Sequence, residues 1–227
     1  MPKRNALRVL ASSTVAFTVC FAVWMMFAVL GIPLAAQLGL NETEFGLLAA
    51  TPVLTGSLVR ILLGVWTDRF GGRVVLFCLM LATVLPIWLI AYATHYWHFL
   101  VLGLFVGLAG GAFSVGTPYV ARWFSRDRQG LAMGIFGAGN SGSALTKFVA
   151  PGIIAAWGWQ ALPKVYATVM LLTAALFWFF PPAIRLTSVR IEQLYGISCA
   201  CLPTPECCAI ASITRLSLAA MWLWPCG

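Results

Sequence analysis

Six long apolar runs divide the chain, and short polar breaks separate them. A membrane-crossing helix needs about 20 mostly apolar residues. The runs meet that need at roughly 13–37, 46–66, 74–94, 99–121, 131–153 and 161–181. The breaks are too short for crossover connections, so successive helices are expected as antiparallel neighbours. The pattern predicts an all-α membrane protein built as a six-transmembrane-helix bundle.

Composition agrees. Hydrophobic residues make up 61% of the 227, and charged residues 9%. A soluble domain is about 45–50% apolar and about 25% charged, so lipid is the natural solvent for the excess. The net charge of +8 raises the question of nucleic acid. The basic residues form no stripe; they sit in small groups between apolar runs, which excludes that partner. A signal peptide is the other reading of Lys3, Arg4 and Arg8 ahead of an apolar stretch. The run from Val15 to Leu38 is too long for an h-region, and five more follow it. A first span explains it better.

The breaks also give an orientation. Lys3, Arg4, Arg8, Arg69, Arg73, Arg122, Arg126, Arg128, Arg185 and Arg190 fall on one side, and only Lys164 on the other. The positive-inside rule places the first group, and with it the N-terminus, in the cytoplasm. The opposite breaks fit an outer face: Asn41 to Glu44 is acidic, and Tyr96, Trp97, Trp157 and Trp159 are interfacial aromatics.

Two basic residues fall inside spans: Arg60 in the second and Lys147 in the fifth. A mid-membrane arginine costs at least about 2.5–3.5 kcal/mol on insertion scales, so it usually faces a cavity. No acidic residue lies within any of the six runs. Two readings of Arg60 follow. It is a structural arginine bonded to a carbonyl or snorkelling inward, or it awaits an anionic substrate. A planar guanidinium matches a planar oxyanion through two parallel hydrogen bonds. Gly56 and Gly64, at i−4 and i+4, are expected to leave room beside it. Lys147 is expected either to share a stripe with Asn140 or to snorkel to the interface.

The fifth run holds Gly134, Gly137, Gly139 and Gly142 with Ala138, Asn140 and Ser141. Such a small-residue surface serves tight helix packing or the approach of a substrate. Gly137-Ala138-Gly139 follows no strand, so it is not a nucleotide loop. No Ser/His/Asp set and no phosphate loop occurs, so an enzyme is not expected, nor a cofactor. Residues 183–227 differ in character. They hold Cys199, Cys201, Cys207, Cys208 and Cys226 without a clear period or a full span. The spacings do not match a zinc framework, and no metal site is expected. The segment is expected to be a non-native or disordered Cys-rich ending after a six-helix unit at 1–182.

Gly64-Val65-Trp66-Thr67-Asp68-Arg69-Phe70-Gly71-Gly72-Arg73 lies between the second and third runs. It resembles the G-x-x-x-D-R-x-G-x-R loop of the major facilitator superfamily, at the place where that superfamily carries it. Gly137-Ala138-Gly139-Asn140-Ser141-Gly142 looks like the nitrate signature of the nitrate/nitrite (NarK-type) porters within it. Gly107 to Phe113, Trp123-Phe124, Arg128-Gln129-Gly130 and Ala50 to Gly56 are similar to the same family, and the likeness runs from about residue 11 to 182. The resemblance implies the N-terminal half of a secondary nitrate/nitrite transporter, a proton symporter or a nitrate/nitrite exchanger, in a bacterial inner membrane. It implies that Arg60, Asn140, Gly137, Gly139 and Gly142 bind the anion. Gly64, Asp68, Arg69, Gly71 and Arg73 would form a conformational-switch loop that helps hold the outward-facing state. Its partners would be nitrate or nitrite, membrane lipid, and a missing C-terminal half or a second copy. Since substrate binds between the halves in such folds, one half is expected to be inactive alone. The alternatives are a non-transporting membrane fragment and a half-size porter that works as a dimer. A sugar or drug porter is weaker, because it does not explain Arg60.

Overall fold

The computed structural model describes residues 3–180. Among them every regular element is helical. The first three helices are α1 (Lys3–Leu38), α2 (Glu42–Phe70) and α3 (Gly72–Ile90). The fourth stretch is α4 (Tyr96–Gly107), a 3-10 turn (Leu108–Gly111) and α5 (Ala112–Ala121). The fifth repeats that plan with α6 (Arg126–Gly137), a turn (Ala138–Ser141) and α7 (Gly142–Trp157). The last is α8 (Ala161–Phe179). Each stretch overlaps one of the six apolar runs. The expected tail at 183–227 lies outside the described residues.

Five stretches are long and apolar enough to cross a bilayer: Arg4–Leu38, Glu42–Phe70, Gly72–Ile90, Tyr96–Ala121 and Ala161–Phe179. The α6–α7 stretch has the length, but Arg126, Asp127 and Arg128 open it, and glycines with Asn140, Ser141 and Ser143 fill its middle. The helices overrun the apolar limits where nothing stops them. Thus α1 begins at Lys3 rather than near 13, because a helix continues past the lipid boundary until a breaker ends it. By contrast, α3 stops at Ile90, where Tyr92 and Ala93 turn back to bond the Leu89 and Ile90 carbonyls.

Backbone groups in lipid must be satisfied inside the helix, and hydroxyls must follow them. Thr14, Thr18, Thr51, Thr67 and Thr173 each donate to the carbonyl four residues back, at 2.6 to 2.8 Å. This is why a polar residue can sit in an apolar run without a partner helix.

At the centre stands α1, which packs against α2, α4, α5, α6, α7 and α8. Its Phe17, Met26, Phe27, Leu30 and Leu34 are buried. On the far side, α3 packs against α8. The outer elements bury narrow stripes. In α2 these are Leu48, Thr51, Pro52, Gly56, Leu63 and Thr67. Across α6, the turn and α7 they are Ala132, Phe136, Gly139, Gly142, Thr146 and Ala150. Between α2 and α3 a single residue reverses the chain: Gly71, at φ 87°. An L side chain there would be strained by roughly 1–2 kcal/mol, which accounts for a glycine at this point of the charged loop.

Candidate functional site

The charged loop ties four helices together. The Asp68 carboxylate, near the end of α2, accepts a hydrogen bond from Arg122 at the end of α5, 2.6 Å away. Both side chains are largely exposed, so the pair positions more than it stabilises. Arg73, in the first turn of α3, donates to the Trp178 carbonyl of α8. Its guanidinium also lies 5.0 Å from the Trp178 ring centroid. Arg69 stacks on Phe70 at 5.5 Å. Gly72 abuts Tyr119 of α5, where a Cβ would come within 2.5 Å of the tyrosine Cβ. Gly64 borders open space: nothing stands within 4 Å of a Cβ placed there. Beside this cluster, the Gln129 amide donates to the Ala121 carbonyl at 3.0 Å and ties the α5–α6 connection.

Arg60 sits at the margin of the packed face of α2. At about 100° per residue it stands about 40° round from Gly56, and Leu63 follows three positions on. Both of those neighbours are buried, yet Arg60 is exposed. It makes no hydrogen bond or ion pair with the described residues. The four described acidic side chains, Glu42, Glu44, Asp68 and Asp127, all lie in the end turns of helices. Gly56 is not the open space expected beside it. A Cβ there would meet the Gly107 carbonyl oxygen at 3.1 Å and the Trp24 indole nitrogen at 3.6 Å. The room lies on the Gly64 side.

The signature glycines divide in the same way. Gly139 presses on the Phe17 ring, and Gly142 on the backbone of α1 at Thr18 and Ala22. Thr146, one turn on, donates to the Ala22 carbonyl at 3.0 Å. These residues hold the turn against α1. Gly137 has nothing within 4 Å. Asn140 is exposed, and its carbonyl accepts from Ser143 at 3.0 Å. Lys147 is exposed on α7.

Arg60 and the Asn140 turn therefore flank α1, and no bond joins them among the described residues. An aromatic strip on α1 spans the interval. Phe17 lies 5.7 Å from Phe21, and Phe21 lies 5.3 Å from Trp24, centroid to centroid. Phe17 ends the strip at Gly139, stacked on Phe136 at 4.8 Å. Trp24 ends it beside Gly56 and donates to the Pro52 carbonyl at 3.3 Å. The signal was available in the sequence, as aromatics at i, i+4 and i+7.

Membrane-length helices around a buried centre, joined at one end by charged cross-ties and carrying an arginine without a partner among the described residues, are the parts of a membrane transporter. The chain belongs to the Major Facilitator Superfamily, whose family model matches residues 13–220, and it is an integral membrane protein. Several relatives carry nitrate or nitrite in their names. The chain is 40% identical over 190 residues to "Probable nitrate/nitrite antiporter NarK1" of Thermus thermophilus, covering 78% of this chain and 43% of that protein. It is 33% identical over 174 residues to "Probable nitrate transporter NarT" of Staphylococcus carnosus, covering 77% and 45%. It is 33% identical over 160 residues to "Nitrite extrusion protein" of Bacillus subtilis, covering 70% and 40%. The chain thus spans less than half the length of each of these relatives.

Proposed function

We propose that the chain forms the N-terminal half of a nitrate/nitrite transporter and supplies one wall of its anion path. The observation that carries this is Arg60, exposed in register with buried neighbours and without a partner among the described residues. Its fork offers two parallel donors to a planar oxyanion. Asn140 adds amide donors, and Gly137 leaves space beside them. Gly139 and Gly142 act through position, by holding the turn on α1. The names of the three relatives support nitrate or nitrite as the anion. The Asp68–Arg122 and Arg73–Trp178 ties brace the arginine-rich end of this half, which suits a loop that presents its charges to the opposing half and favours the outward-facing state. The test is uptake in proteoliposomes. The chain joined to the second half of the Thermus thermophilus relative should accumulate nitrate; the 227 residues alone should not, because one wall lacks the opposing anion contacts. Robust uptake by the 227 residues alone would overturn the half-path reading and favour a self-pairing porter.

The same reading makes α6–α7 a sixth crossing, with the arginine-rich end in the cytoplasm of a bacterial inner membrane. Support comes from the stretch's length and from its buried stripe against α1. Single cysteines at positions 41 and 97 should react with an impermeant thiol reagent applied outside cells, and cysteines at 69 and 126 should not. Outside labelling at position 126 would reverse the topology.

A further inference from the structure

An apolar groove runs down the side of the bundle between α3 and α8, away from Arg60 and Asn140. It is an open groove of about 290 Å³ lined by Phe77, Leu81, Leu171, Ala175, Trp178 and Phe179. Two of the lining rings, Phe77 and Trp178, meet with centroids 4.5 Å apart. At its mouth lies Arg73, one turn before Phe77 and two before Leu81. The three share one face of α3 at i, i+4 and i+8, so Leu81 stands about 12 Å along the helix axis from Arg73. Among the described residues that cation has no carboxylate partner: the acid of the loop, Asp68, is engaged by Arg122. One Arg73 donor is used on the Trp178 carbonyl, and its Nε is buried without a partner among the described residues. A single cation above a slot for hydrocarbon is the complement of an amphiphile with an anionic head. Arg73 stands in the first turn of a membrane-length helix, and at the end of such a span a phospholipid presents that shape.

We propose that the α3–α8 groove, with Arg73 at its mouth, holds one anionic phospholipid, its acyl chain along Phe77, Leu81 and Ala175 and its phosphate on the guanidinium. The site is separate from the anion path, so it does not depend on nitrate being the substrate. A phosphate on Arg73 would reinforce the tie between α3 and α8 beside the switch loop, within this one half.

Native mass spectrometry of the full chain, purified and exposed to phosphatidylglycerol or phosphatidylcholine, tests this. One phosphatidylglycerol should be retained at roughly fivefold preference, the effect of one arginine near an anionic headgroup. Ala175→Phe fills the groove from an exposed position without touching Arg73, and should abolish retention of that lipid. Arg73→Gln should remove the preference for the anionic head. Arg126→Gln, at the same end but off the groove, should change nothing. Equal retention of the two lipids would overturn the proposal, as would full retention in Ala175→Phe or an equal loss in Arg126→Gln. So would a site that binds only after truncation at Pro182, since the chain's own following segment would then be the occupant.

Discussion

Arg60→Lys, made in the chain joined to the second half of its Thermus thermophilus relative, should lose most nitrate uptake while the protein still reaches the membrane. The substitution keeps one positive charge and removes the planar fork. An ammonium is a compact point donor that cannot make two parallel bonds to one oxyanion. A charge-assisted hydrogen bond contributes about 1.5–3 kcal/mol, so the loss should be roughly tenfold to more than a hundredfold in affinity. Asn140→Ala removes a neutral amide and should cost about 0.5–1.5 kcal/mol, a clearly smaller change. Radiolabelled nitrate titrations on the two variants separate affinity from turnover. If Arg60→Lys transports as well as the unmodified chain, charge alone suffices and the fork plays no part. If Arg60→Lys fails to insert, the arginine is structural, and its exposed position has another cause.

The spans were legible because lipid imposes a simple demand: a continuous apolar run of bilayer length. The structure places a helix on every run, and the demand weakens only in α6–α7, where function or packing requires glycine, asparagine and serine. Arg60 and the charged loop were also legible, the first as an anomaly of charge and the second as a motif of fixed spacing. The partners were not. Asp68 meets Arg122 across 54 residues, and Arg73 meets Trp178 across 105. No local period encodes such separations; they follow from which helices pack together. The glycines show the same limit. In sequence, Gly137, Gly139 and Gly142 look alike, and so do Gly56 and Gly64. Only the neighbouring helix reveals that Gly56, Gly139 and Gly142 are contact points and that Gly64 and Gly137 are open.

That division gives the last large expected effect. Gly142→Ala should fail to yield a stable, monodisperse bundle, whereas Gly137→Ala should fold normally. A methyl on Gly142 would overlap the Thr18 carbonyl oxygen and stand 3.0 Å from the Ala22 nitrogen. Both are backbone atoms of the central helix, so no rotamer change can relieve the clash. The same stretch of α1 receives the Thr146 hydrogen bond through the Ala22 carbonyl, so displacing α7 breaks that bond as well. Overpacking of this kind typically costs about 1–3 kcal/mol, and loss of a buried hydrogen bond adds about 1–3 kcal/mol. Together they are comparable with a large share of the marginal stability of a folded chain. At Gly137 nothing lies within 4 Å, and alanine is the better helix former by about 1 kcal/mol. Melting of the detergent-solubilised variants, followed by size-exclusion chromatography, should show a large drop for Gly142→Ala and no drop for Gly137→Ala. Nitrate uptake by the joined chain then separates the roles. Should Gly137→Ala fold well and transport poorly, position 137 borders the anion path. Equal stability of the two variants would show that α7 does not press on α1 at Gly142, and the packing role assigned to the signature glycines would fall.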